Sequence, residues 1–174
     1  MGQPVLHGLT SEFAHGRAFS EVVPVANPAA GGGFTYTVGG NYWERIAALS
    51  FTIVTDGNAA NRQVLVAFKD GTGTNIASTA SGGTQAATLT RLYSFVPNQG
   101  TAPALIGTTF LAPLPVLFLQ PGFTVVMSIT SVQVGDQVSA IRVYREAFDT
   151  GPEGYPVGML EENMYVAEYE RVGN

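Results

Sequence analysis

Apolar and polar residues alternate with a period of two through the middle of the chain. In Trp43 to Thr55, Trp43, Ala47, Leu49, Phe51 and Ile53 fall on one face, and Glu44, Ser50 and Thr52 on the other. That is the pattern of a half-buried strand. Arg45 is an exception on the apolar side and is expected at its rim. The same alternation runs through Phe34, Tyr36 and Val38, through Val64, Val66 and Phe68, and through Leu89, Arg91, Tyr93 and Phe95. It returns in Phe123, Val125, Met127 and Ile129, and in Ile141 and Val143. Weaker strands are predicted near Ser20 to Val25, Thr74 to Ala80 and Pro115 to Leu119.

Turn formers punctuate these runs: Gly31-Gly32-Gly33, Gly39-Gly40-Asn41, Asp56-Gly57-Asn58, Asp70-Gly71, Ser81-Gly82-Gly83, Pro121-Gly122 and Gly135-Asp136. Eight to nine strands with no amphipathic helix predict an all-β, antiparallel β-sandwich. Eight is the strand number of a jelly roll, and a seven-stranded immunoglobulin-like sandwich is the neighbouring alternative. No repeat at a fixed period is visible, which argues against propellers and solenoids.

The ends do not alternate. Residues 1–19 and 149–174 read as N- and C-terminal arms around a sandwich domain of residues 20–148. They nevertheless carry Val5, Leu6, Phe13, Phe19, Tyr155, Met159, Leu160, Met164, Tyr165 and Tyr169. Solvated tails are depleted in such side chains, so the arms are expected to dock on a partner.

Charge sharpens this picture. Charged residues make up only 12% of the 174 residues, and apolar residues 45%. The charged share is about half the usual one of about 25%. Residues 1–148 hold seven acids against seven arginines and lysines, so the net charge of −5 comes from the last 26 residues, where six acids face Arg171 alone. Leu92 to Gly135 is 44 residues without a charge. Part of that stretch is expected to face the core or a neighbouring subunit, because uncharged exposed surface promotes association. Pro103, Pro113 and Pro115 interrupt its most apolar piece, which argues against a membrane span. The scattered cations give no footprint for nucleic acid.

Candidate chemistry is sparse. The chain has no cysteine, hence no disulfide, thiolate metal site or cysteine nucleophile. The start, MGQPVLHGLTSEF, lacks the basic and apolar regions of a signal peptide, and Leu6 stands where a myristoylation motif needs Ser or Thr. His7 and His15 lack a third metal ligand. Asp149-Thr150-Gly151 matches the short signature of aspartic proteases, yet only 23 residues follow it, and a turn explains it. Asp70-Gly71-Thr72-Gly73-Thr74-Asn75 starts like a calcium loop but lacks its later Glu, which leaves a hairpin connection. The glycines at 31–33 have no following Lys and open no helix, so they are no phosphate cradle. No enzyme, cofactor or metal is expected. Trp43 and Tyr93, with Tyr36 and Tyr42, are candidates for a glycan-facing aromatic surface, against the commoner use of aromatics in a core.

The run Trp43-Glu44-Arg45-Ile46-Ala47-Ala48-Leu49-Ser50-Phe51-Thr52, then Asn61-Arg62 and Lys69-Asp70-Gly71, resembles small structural proteins of tailed bacteriophage virions. So does Leu119-Gln120-Pro121-Gly122-Phe123 leading to Gly135-Asp136-Gln137-Val138-Ser139-Ala140-Ile141-Arg142. The resemblance spans about residues 34–148 and implies a virion β-sandwich, a capsid decoration or accessory protein, with no catalytic residues. Partners would be sister copies in a homo-oligomer such as a trimer, and the major capsid protein or other virion proteins. The expected location is the virion, after synthesis in the host cytoplasm. A glycan- or receptor-binding module of a phage tail or secreted enzyme is the alternative.

Overall fold

The computed structural model describes residues 19–40, 42–99 and 104–149. Eleven strands are formed among them and no helix: β1 (Phe19–Pro24), β2 (Phe34–Thr37), β3 (Tyr42–Val54), β4 (Gln63–Lys69), β5 (Asn75–Ala80), β6 (Thr90–Val96), β7 (Ala104–Ile106), β8 (Thr109–Pro113), β9 (Phe118–Leu119), β10 (Thr124–Thr130) and β11 (Gln137–Asp149). One sheet has seven strands in the order β1-β11-β3-β6-β8-β7, with β9 beside β3, and the other has four in the order β2-β10-β4-β5. All pairings are antiparallel except β6 with β8. The expected sandwich is therefore present.

The pairs β1·β11, β2·β10, β3·β6 and β4·β5 form a folded-back ribbon that winds alternately through the two sheets. Between β6 and β10 the chain inserts β7, β8 and β9. β7 and β8 were not expected from the pattern. Phe110, Ala112 and Leu114 alternate into the core, but apolar Leu111 also occupies the outer side and hides the period.

Alternation elsewhere lands as anticipated. Phe34, Tyr36 and Val38, Val64, Val66 and Phe68, Tyr93 and Phe95, Val125 and Met127, and Ile141 and Val143 are all buried. The two sheets meet through an aromatic stack in which Phe51 lies parallel to Tyr93 at 5.5 Å, and Tyr93 lies against Phe110 at 5.1 Å. Phe34 of the opposite sheet closes edge-on onto Phe51 at 5.5 Å.

In β3 the expected face reverses partway along. Leu49, Phe51 and Ile53 point inward as expected, but upstream it is Glu44 and Ile46 that are buried, while Trp43 and Arg45 lie on the outer side. The cause is a β-bulge: Tyr144 pairs Ala48 and Arg145 pairs Ile46, so Ala47 has no partner of its own. One extra residue inverts every side chain beyond it. A second bulge falls at Ala140 of β11, which takes a left-handed φ of 52°.

Two substitutions test this backbone. An alanine methyl at Gly33 would meet the carbonyl oxygen of Met127 at 2.0 Å. Gly33→Ala is therefore expected to lower stability by about 3 kcal/mol in urea unfolding. Ala140→Gly is expected to raise it by about 0.5–1 kcal/mol, since relief of left-handed strain exceeds the added chain entropy.

Candidate functional site

Few charges are available to this sandwich, and many of them are turned inward. Around the start of β3, the reversed face carries Glu44 into the interior, where its carboxylate needs partners. Tyr36 on the opposite sheet donates its hydroxyl to Glu44 Oε2 at 2.6 Å. Arg145 of β11 donates Nη1 to Glu44 Oε1 and, at 3.1 Å, to the Tyr36 hydroxyl. Its Nε and Nη2 reach Glu21 of β1. Burial, helped by the adjacent Glu44, pushes the Tyr36 phenol well above its ordinary range. Burial disfavours the Arg145 cation, but its bonds to Glu21 and the charges around it raise its pKa further. This cluster ties β1, β2, β3 and β11 together.

A second cluster closes the far end of β3. Arg62, fully buried, donates Nε to Asp136 Oδ2 and Nη2 to Asp136 Oδ1, both at 2.9 Å. Nη2 also reaches Asp56 Oδ1 at 2.7 Å, and Nη1 reaches the carbonyls of Asn58 and Ala60. Asp136 further accepts the N–H groups of Asp56 and Gln133. Burial alone would raise the Asp136 pKa, but the guanidinium and these N–H groups outweigh it and hold it below the ordinary carboxylate value. Gln85 joins this end to the core, donating to the carbonyls of Ile53 and Leu89 and accepting from the Tyr93 hydroxyl at 3.0 Å.

The outer faces are left nearly uncharged. On the seven-stranded sheet, pairing register and alternation place Val22, Tyr144, Ala48, Ser50, Ser94, Leu92, Leu111, Thr52, Val54 and Ile106 outward, with Phe118 beside Arg45. Val22, Val54, Leu92, Ile106, Phe118 and Tyr144 are each 40–64% exposed. Among the described residues the charges on this face are Arg45, paired to Glu146 at 2.5 Å, and Arg142. The outer face of the four-stranded sheet mixes hydroxyls with smaller apolar side chains: Thr35, Thr37, Thr124, Ser128 and Ser78 lie among Leu65, Ala67, Ala80 and Val126, with Lys69 at one end. Part of the charge-free Leu92–Gly135 stretch thus fills the core, through Tyr93, Phe95, Phe110, Leu114, Leu119, Val125 and Met127, and part faces outward through Leu92, Ser94 and Leu111.

Two candidate glycan-facing aromatics are corrected by their burial. Tyr93 lies fully inside the core and spends its hydroxyl on Gln85, so it cannot meet a sugar. Tyr36 is likewise buried against Glu44. Trp43 is half-buried on the outer side of β3, opposite Phe148. Phe19, expected in the N-terminal arm, belongs to β1, where it pairs Ala147, meets Tyr42 edge-on at 5.4 Å and lies under the Arg145 guanidinium. The other arm residues, Val5, Leu6, Phe13, Tyr155, Met159, Leu160, Met164, Tyr165 and Tyr169, lie outside the described residues, as do His7 and His15. Asp149 ends β11.

The loop at Asp70 is a hairpin connection. Asp70 Oδ1 accepts from the backbone N–H of Thr72 and of Thr74 and from the Thr72 hydroxyl, which holds its carboxyl below the ordinary range. Among the described residues no group of three His, Asp or Glu side chains could hold a metal. The Arg62 and Arg145 clusters were not singled out from the sequence. The misplaced Arg45 was the one signal of the phase reversal that builds the second of them.

No family model and no curated protein matches the chain. Among solved structures it is similar to a protein of the T13 IBDV viral particle, with 14% identity and a TM-score of 0.34, over 81% of this chain and 33% of that one. It is also similar to a protein of the infectious bursal disease virus Gx strain, with 14% identity and a TM-score of 0.31, over 81% of this chain and 34% of that one. The chain spans about a third of the length of those proteins.

The Arg62 cluster makes two predictions. Arg62→Ala leaves Asp136 buried without its cation and is expected to cost about 3 kcal/mol in urea unfolding. A carboxyl with a depressed folded pKa stabilises above its unfolded value and loses that contribution as pH falls through the folded one. Asp136→Asn is therefore expected to flatten the loss of thermal stability below about pH 4, read by circular dichroism melts.

Proposed function

We propose that this chain is a structural subunit of a virion. In this reading it is a decoration or accessory protein of the tailed-bacteriophage kind that the sequence resembles, and it joins a larger shell as a homo-oligomer such as a trimer. Its contribution is surface and cohesion rather than catalysis. The observation that carries the reading is the nearly uncharged, apolar outer face of the seven-stranded sheet, on a body whose buried arginines already have their counterions. Exposed apolar area of that extent is a mark of an interface.

Strand order supports the same reading. With β7, β8 and β9 set aside, the remaining eight strands run β1-β11-β3-β6 and β2-β10-β4-β5, an order that supports reading the sandwich as a jelly roll. The arms, now residues 1–18 with Val5, Leu6 and Phe13 and residues 150–174 with Tyr155, Met159, Leu160, Met164, Tyr165 and Tyr169, would reach across to sister copies or to the shell. β1 and β11 place Phe19 opposite Ala147, so both arms leave from one corner of the sandwich.

Sedimentation velocity on the full chain tests this. A discrete oligomer at micromolar concentration is expected, and a monomer at every concentration up to the solubility limit would remove the reading. Titration of Trp43 fluorescence with glycans is expected to give no saturable shift. A saturable one would favour the binding-module alternative.

A further inference from the structure

We propose that the outer face of the seven-stranded sheet is the seat of residues 150–174 from a second copy of this chain. This rests on the assembly reading above and names its contact surface.

The shape of the face selects a narrow occupant. Across its middle the small side chains Ser50 and Ser94 lie opposite each other, with Arg142 and Leu111 at the two ends of that row, between neighbouring rows that carry Tyr144 with Ala48 on one side and Leu92 with Thr52 on the other as banks. Where the Ala47 bulge breaks the ladder, a hollow of about 220 Å³ opens beside Val22 and Tyr144, with Ser20, Glu21, Arg145 and Glu146 completing its lining. A second flat sheet laid on this trough would bridge the banks and leave the middle unfilled, losing dispersion contacts along it. A single segment with large side chains fits into it. The four-stranded sheet turns Leu65, Ala67, Ala80 and Val126 outward among its hydroxyls, but among the described residues it has no aromatic side chain in those rows to form a bank.

The C-terminal segment has the matching chemistry. It carries Tyr155, Met159, Leu160, Met164, Tyr165 and Tyr169 to bury. Its acids outnumber Arg171, while among the described residues Arg142 is the cation of this face without a paired carboxylate, Arg45 and Glu146 cancelling. Twenty-five residues follow Asp149. At about 3.3 Å each they reach up to about 80 Å, well beyond the roughly 25–30 Å width of six strands. β11 ends at Asp149, opposite Tyr42 at the start of β3. Exchange of one segment per copy closes a ring in which each face is covered once.

The absence of cysteine makes the test clean. Met164→Cys gives the full chain one thiol, to which a benzophenone maleimide is attached. Heavy-isotope and unlabelled chains are mixed, irradiated and digested. Cross-links joining heavy to light chains, and ending on peptides with Leu92, Ser94 or Tyr144, are expected. Cross-links confined to one chain, landing on the four-stranded sheet, or missing while the oligomer is intact overturn the proposal and leave the assembly reading standing. A chain that does not associate at all defeats the assembly reading itself. As a second measurement, Ser94→Arg is expected to weaken self-association at least about tenfold with an unchanged circular dichroism spectrum. Unchanged association overturns the proposal, and if that variant does not fold, Leu92→Glu at an exposed position replaces it under the same criterion.

Discussion

Everything in this molecule hangs on two apolar sheet faces held together across a gap of about 10 Å. Phe51, Tyr93, Phe95 and Phe110 of one sheet meet Phe34, Val66, Phe68 and Met127 of the other, all nearly sealed from solvent. Each such side chain removed from water contributes on the order of 1.5–3 kcal/mol. Strand pairing within a sheet is local, but this contact joins strands from opposite ends of the chain. The loops, bulges and ion clusters take their positions from it.

The charges complete the frame and in doing so empty the surface. Arg145 with Glu44 and Glu21 lies near the start of β3, and Arg62 with Asp56 and Asp136 lies just beyond its end. A buried ion is tolerated only with its counterions and hydrogen bonds in place, so each cluster locks several segments at once. In a chain with 12% charged residues, ions spent inside are not available outside. The same pairs that fix loop and strand positions therefore leave a broad outer face without the ionic coat that keeps a domain apart from its neighbours.

Much of the sandwich was legible because a strand with one buried face must alternate: Phe34 to Val38 do so without interruption, and Val64 to Phe68 and Phe123 to Ile129 keep a large apolar side chain at every second position although Leu65, Ala67 and Val126 fall between. β7 and β8 were not, since their outward residues are also apolar and the period disappears when both faces are dry. The inversion along β3 was signalled only by Arg45, whose place on the apolar side made sense once Ala47 was squeezed out of the ladder. Tyr93 had the right composition for a sugar platform, but exposure is not a property of residue type.

What the amino-acid order determined alone is most of the strands, the turns between them and the poverty of charge, because period, turn chemistry and composition are local or additive. Which strands pair, where Glu44 and Asp136 find their arginines, and which outer face is left bare were decided only in three dimensions. Those outcomes depend on contacts between residues as far apart as Arg62 and Asp136, or Glu21 and Arg145, whose meeting is set by the winding of the whole ribbon and by a single unpaired alanine.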